Sequence, residues 1–558
     1  LLSGPVTHTT NFFGTQGFMA FRPLVDTLAA TIGMARGARV GTGETDRASM
    51  SEGVARILGT LKGVASALRV GYHVFRQDKP SGKFESYRNA IPGAFGQVVR
   101  IPFRLMGAED AINQTMYYRG ELETLALRQA FSENLNPNSA EFSARVNFLI
   151  DNPDFRPEGV GKTIGQISDE ASRRMAFNAP LGEKGVSLQL LVEKWNLQWM
   201  MPFVRTPINI AKEVARMTPL APMVGEWRAD IAKGGVAKDR AIAEAVLGSG
   251  IMAIIMAYTF SGDISGSGSP DPGKNRGKTG VWQGYSVLVG DTWYEYARIQ
   301  PLGTVVGLAA DLATAWEYMT DDEKDKVPKL LARAFANAVT NQTFLSGISN
   351  VVNAMSDPVR FGPRFIQGMA GTLVPNIIGQ TTTMADPYVR DARSALEAIQ
   401  ARVPGWREQL FPKRDWLGAP LETKERLGVV LPVRTQEISE DKVRLEAARL
   451  DISIGMPKKT LHLGKGTGKI GNIELTAEEH NNLQKVGGEM AHQILTQVVN
   501  APGYDQMPPM IQKKMFANVL RSTRQVAAAT ALPMEKRLAY IQDIVEELGA
   551  AMQPEQAQ

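Results

Sequence analysis

Two segments have residues that could hold a phosphate: Gly161-Lys162-Thr163 and Gly464-Lys465-Gly466-Thr467-Gly468-Lys469. A phosphate loop needs a glycine five positions before its last one, so that backbone N–H groups can wrap the anion. Arg156 stands there in the first segment and Leu463 in the second, where Ile470 also replaces the magnesium-binding hydroxyl. Both read as loops. The histidines are His8, His73, His462, His480 and His492, and no two have the i,i+4 spacing that places metal ligands on one helical face. There is no cysteine. Disulfides, thiolate metal sites and thiol nucleophiles are therefore excluded, and no G-x-S-x-G elbow is present. The expectation is no cofactor, no metal and no small-molecule substrate.

One carboxylate has a catalytic look. Phe84-Glu85-Ser86 is followed by Gly93-Ala94-Phe95-Gly96-Gln97. This resembles the lytic transglycosylases, in which a Glu followed by Ser is the general acid and a later Gly-Ala-x-Gly segment ends in Gln. Such an acid needs a raised pKa in an apolar cleft. The interval here is short, and Pro80, Ser81 and Gly82 break the helix expected around the Glu. Glu85 is left as the residual catalytic candidate of a segment read as non-enzymatic.

Contact chemistry is better represented. Trp195 and Trp199 stand at i,i+4 and share a helical face, suited to helix packing or to a lipid interface. Ala245–Phe260 holds sixteen residues without a charge. A bilayer span takes about 20, so this run reads either as a buried core helix or as a membrane-inserting segment. Its candidate contacts are Ile251, Met252, Ile254, Ile255, Met256 and Tyr258, and Trp293 joins them from a hairpin further on. The methionines, with Met200 and Met201, suit adaptable packing.

The elements that must carry these residues are helical. The 558 residues exceed what one core supports, so several domains or an elongated helical assembly are expected. Hydrophobic residues at 44% are enough for a packed interior, and 53 glycines with 7% aromatics favour helices joined by breaks. The net charge of +5 comes from 62 basic residues spread among 57 acidic ones, a mixed surface that leaves room for weak contact with a DNA backbone or anionic lipid. The start at Leu1 predicts further sequence upstream, and no signal peptide pattern is visible.

The fold class expected is mainly α, an elongated multi-helix assembly with short Pro/Gly-broken helices and one β-hairpin near 282–296. In 1–150, an N-terminal helical region, Val54, Ile57, Leu58 and Leu61 form one apolar face after Ser51 as N-cap. Pro92 and Pro102 bracket a short piece before a helix over 109–131. Residues 151–260 are helical and include the apolar run. Residues 261–310 are a Gly-rich loop plus the hairpin, turned at Gly290-Asp291. Residues 311–450 are helices with long Pro/Gly/Arg-rich connections, one of them over 321–356. Residues 451–558 form a C-terminal helical domain, in which 452–470 read as a Gly/Lys loop.

Several phrases occur in a familiar order. They are Ser3-Gly-Pro-Val-Thr-His8-Thr-Thr-Asn11, then Arg100-Ile-Pro-Phe-Arg-Leu-Met-Gly-Ala-Glu-Asp110 with Tyr118-Arg-Gly-Glu-Leu122. Pro202-Phe-Val-Arg-Thr-Pro-Ile-Asn209 and Thr218-Pro-Leu-Ala-Pro222 follow, and then Gly290-Asp-Thr-Trp-Tyr294 with Arg298-Ile-Gln-Pro-Leu-Gly303. The set resembles the internal virion, or DNA-ejection, proteins of tailed bacteriophages, in particular the helical region of the large polyvalent ones. The resemblance spans roughly 1–310 and extends more loosely to 440. It implies a protein held in the capsid near the portal and ejected to help form a conduit across the host envelope. The implied partners are further copies of itself in a ring or tube, the portal, other internal virion proteins, DNA and the host membrane. Two rivals remain. One is the C-terminal part of an envelope-degrading protein with its transglycosylase domain upstream of Leu1, and the other is a helical membrane-pore protein.

Overall fold

A computed structural model describes residues 5–40, 47–77, 93–182, 186, 190, 205–317, 335, 357–372, 374–423, 425–426, 433–463 and 471–552. The chain is mainly α-helical. Three long helices open it: α1 (Pro5–Val40), α2 (Ser51–Gln77) and α3 (Gly93–Ser132). α1 runs through Pro23 and α3 through Pro102, so the short piece expected before 109 is part of one helix. Packing overrides the local break there, because α2 lies antiparallel along α3, with Glu52 at Arg128 and Gly71 at Ile112. Ser51 is the first residue of α2 and not its cap; the Ser49 N–H donates to the Glu52 carboxylate at 3.0 Å.

The next helices are α4 (Ala140–Asp151), α5 (Ile164–Met175), α6 (Arg205–Arg216), α7 (Gly225–Lys233) and α8 (Gly235–Phe260). Ser139 caps α4 by accepting from the Phe142 N–H. Thr163 and Gln166 form a reciprocal capping box on α5. After α9 (Pro272–Gly277) come β1 (Ser286–Val289) and β2 (Thr292–Glu295), the expected hairpin, with Gly290 at positive φ in its turn. α10 (Leu302–Glu317) then packs on α8. A core of Phe18, Val25, Val214, Met252, Val305 and Leu308 ties α1, α6, α8 and α10 together.

Beyond 357 lie α11 (Pro358–Thr372), α12 (Asn376–Ala385) and α13 (Ala395–Gln400), then β3 (Glu425–Arg426) and β4 (Arg434–Glu437). β4 pairs antiparallel with β2, so the hairpin belongs to a four-stranded sheet of order β1-β2-β4-β3. α14 (Lys442–Arg449) follows. β5 (Thr460–Leu463) and β6 (Gly471–Glu474) then form a second antiparallel pair. Part of the expected Gly/Lys loop is therefore strand; Leu461 alternates with neighbours and packs inward on Ile473 and Leu483. Three helices close the fold: α15 (Ala477–Val499), α16 (Pro509–Ala531) and α17 (Met534–Met552). Their core holds Trp416, Val443, Leu495, Tyr504, Phe516 and Leu520. The helix expected over 321–356 lies outside the described residues.

Candidate functional site

α8 begins polar and ends apolar. Asp239 and Glu244 sit in its first half, and no charge follows. An 18-residue window of this helix averages a hydropathy of 1.8, yet only 28% of that window is buried. Met252 is in the core, with Ile251, Ile255 and Met256 packed against it. The opposite face turns outward: Ile254 is 58% exposed and Tyr258 53%, with Val246 and Phe260 alongside. Of the two sequence readings, neither a fully buried helix nor a free span fits. One face is core and the other is uncovered.

α2 repeats this arrangement more sharply. Its inward residues are Glu52, Gly53, Arg56, Gly59, Gly63 and Gly71. A Cβ on Gly59 would stand 2.9 Å from the Arg119 carbonyl oxygen, so the backbones of α2 and α3 meet directly. The large side chains are on the other side. Val54, Ile57, Leu58 and Leu61, the expected apolar face, are all exposed, as are Leu68 and Tyr72.

Charge fills the interior beneath. Arg56 binds Asp26 and Glu121 and donates to the Tyr117 hydroxyl at 3.1 Å. Arg240 reaches Asp26 at 2.9 Å and Glu52 at 3.2 Å, and Arg128 clasps the same Glu52. These three cations and three anions join α1, α2, α3 and α8. A second set joins α1, α5, α6, α7 and α8. In it Arg22, Arg174 and Arg216 converge on Glu244, with Glu213 bound to Arg174 and Asp230 to Arg216. Both sets balance, which is what makes buried charge tolerable. Burial alone would raise the Glu121 carboxyl, but Arg56 and Arg240 override it and hold it down to about 2. Asp26 is likewise held well below the usual carboxylate range by Arg240 and Arg56 against its burial. Asp110 has no such cation. Burial pushes it up to about 7, with the Asn178 amide donating at 3.2 Å and Glu109 adding to the rise.

The remaining sequence candidates fall as follows. Thr163 of the first phosphate-loop candidate is the α5 cap, and Lys162 pairs with Glu170 at 2.6 Å. The second candidate, Glu85, Trp195 and Trp199 lie outside the described residues. Trp293 is a correction: it is buried, its Nε1 donating to the Val281 carbonyl at 2.9 Å, so it presents nothing to a partner. His8 pairs with Glu109, His492 with Asp441, and His480 lies between Arg393 and the Pro457 carbonyl. Among the described residues no three His, Asp or Glu side chains are grouped to hold a metal ion. A cleft of about 400 Å³ opens between α16, α17 and residues 453–461, with Leu461, Leu483, Leu520, Arg521, Arg524 and Tyr540 in its wall. Its lining has no carboxylate or histidine, hence no acid–base pair. No family model, curated protein or solved structure matches the chain.

Proposed function

We propose that the chain is a structural, non-enzymatic protein of the phage internal virion kind, held near the portal and passed out to help line a path for DNA across the host envelope. The observation that carries this reading is the half-covered α8, an apolar helix whose outer face, Val246, Ile254, Tyr258 and Phe260, is about half exposed among the described residues. Apolar surface left in water calls for a bilayer or another subunit. The charge-free stretch of sixteen residues covers about 24 Å at 1.5 Å per residue, short of the roughly 30 Å of a hydrocarbon core. It therefore engages one leaflet, or a neighbouring copy, before any larger rearrangement. The ordered phrases that resemble those of ejection proteins support the virion context.

The test is an in-situ map of the particle, together with leakage of liposomes by the purified chain. Density inside the capsid at the portal supports the reading, and density confined to the outer shell or fibres overturns it. Leakage by a chain absent from particles favours the pore-forming alternative.

A further inference from the structure

The cleft beside α16 combines an apolar wall with a cationic one. Ile454, Met456, Leu461, Leu483, Leu520 and Tyr540 supply the apolar lining. They come from the 453–457 loop, β5, α15, α16 and α17, so the cleft is a product of the tertiary fold. The charged side chains in the lining are Arg521 and Arg524, and the neutral polar ones are Ser453 and Gln525.

The two arginines stand at i,i+3 on α16 and so share one side of the helix. Arg524 donates through Nη2 to the Gly455 carbonyl at 2.6 Å, which fixes its guanidinium against the loop. Arg276 of α9 donates to the neighbouring Ile454 carbonyl at 2.8 Å. Arg521 is exposed, and among the described residues no side chain pairs with it. Nor does a described carboxylate pair with Arg524. Burial, and then the nearby Arg276, press the Arg524 pKa below its ordinary value, with no acid to offset them. Asp271, behind Ser453, is already engaged: it accepts from the Ser453 hydroxyl and the Gly273 N–H, beside Lys274 and Arg276. Two guanidiniums without a counterion therefore face an apolar wall, where a positive field is screened least.

We propose that this cleft binds a single acyl chain with an anionic headgroup, the head on Arg521 and Arg524 and the chain along the Leu461, Leu483 and Leu520 wall. Charge selects the anion, since the lining has two cations and no acid. The wall selects the chain: it is mostly aliphatic, and Met456 adapts to a flexible occupant. A sugar or nucleotide would leave polar atoms unpaired against leucine and isoleucine, which is costly. Size favours one chain over two, because about 400 Å³ lies near the lower end of the range of roughly 300–1,000 Å³ for small-molecule sites. A fatty carboxylate and a single-chain phosphate share this chemistry. The inference rests on the C-terminal helices and does not depend on a virion role.

The experiment is calorimetric titration of the full chain with decanoate, decyl phosphate, decanol and acetate, all below micelle formation. Decanoate and decyl phosphate are expected to bind one per chain, and the tighter of the two assigns the headgroup. Decanol should bind far more weakly, and acetate not at all. Arg521→Gln should weaken decanoate by about tenfold, the loss of one charge-assisted hydrogen bond, and Arg521→Lys should retain most of the affinity. Ala517→Trp fills the cleft from an exposed position on α16 and should abolish binding. Arg521 and Ala517 both face solvent, so circular dichroism of these variants should match the parent. A parent that binds neither decanoate nor decyl phosphate overturns the proposal. Decanol binding as tightly as decanoate overturns the role of the arginines. Decanoate binding unchanged in both Arg521→Gln and Ala517→Trp places the ligand on another surface and overturns the site. Flotation with anionic vesicles without binding of monomeric decanoate does the same, in favour of a membrane surface elsewhere.

Discussion

In the C-terminal helices Leu495, Phe516 and Leu520 point inward while Lys513 and Lys514 face water. In α2 the order is reversed: Glu52 and Arg56 are inside among glycines, and Leu58 and Leu61 face out. Both regions bury enough to fold, but they hold themselves together differently. The C-terminal part relies on removing apolar area from water. The α2–α3 pair relies on close backbone approach and neutralised charge, and its large hydrophobic side chains are left exposed. Polarity arranged this way leaves apolar area in water that a conventional amphipathic helix would bury.

The comparison can be broken at its strongest point first. Arg56→Met removes the cation between Asp26 and Glu121 and leaves both carboxylates buried. Destabilisation of about 3–5 kcal/mol is expected, read from urea denaturation followed by tryptophan-independent circular dichroism. A loss below about 1 kcal/mol would mean that the network is solvated and that the inversion is superficial. The matching probe in the other region is Leu495→Ala. It should cost about 2–5 kcal/mol by cavity formation, and the same experiment checks it.

A subtler contrast lies within the N-terminal bundle and is visible in pH. Asp26 and Glu121 have lowered folded pKa values, so their contribution is present above about pH 4 and is lost as pH falls below it. Asp110 has the opposite sign. Its folded value of about 7 exceeds the ordinary carboxylate value, so the folded state holds an extra proton in between, and stability falls as pH rises from about 4 to 7. Asp110→Asn should remove that fall and gain roughly 1–2 kcal/mol at pH 8, with little change at pH 4. Melting curves across this range check it. A variant that melts in parallel with the parent at every pH would assign Asp110 no such role.

Legibility in the sequence followed the same divide. Helical patterning located the C-terminal helical region that α15, α16 and α17 fill, and Gly290-Asp291 located the hairpin. Each is a local signal confirmed by ordinary packing. β4 was not readable, because its partner β2 lies some 140 residues earlier in the chain and nothing near 434 announces it. The strand pair around 464–470 was masked by its Gly/Lys composition. The apolar face of α2 was found, but its direction was not. Amphipathicity identifies two faces and assumes that the apolar one is buried, whereas here Gly59, Gly63 and Gly71 formed the interface. The spacing of those glycines, four and eight residues apart, was the signal that could have shown it. Arg56 opposite Asp26 could not be read at all, since the partner lies on another helix.

The smallest expected change is the most discriminating. Leu61 is 62% exposed and stands in the middle of the outer apolar face of α2. Leu61→Gln removes a large apolar side chain from a helix already packed through its other face. In a conventional amphipathic helix the same change would empty a core position and cost several kcal/mol. Here the unfolding free energy should shift by no more than about 0.5 kcal/mol in either direction. Glutamine keeps good helix propensity, and no buried contact is lost. Equilibrium denaturation of parent and variant under identical conditions decides it. A loss above about 2 kcal/mol would place Leu61 inside a core and reverse the contrast between α2 and the C-terminal helices.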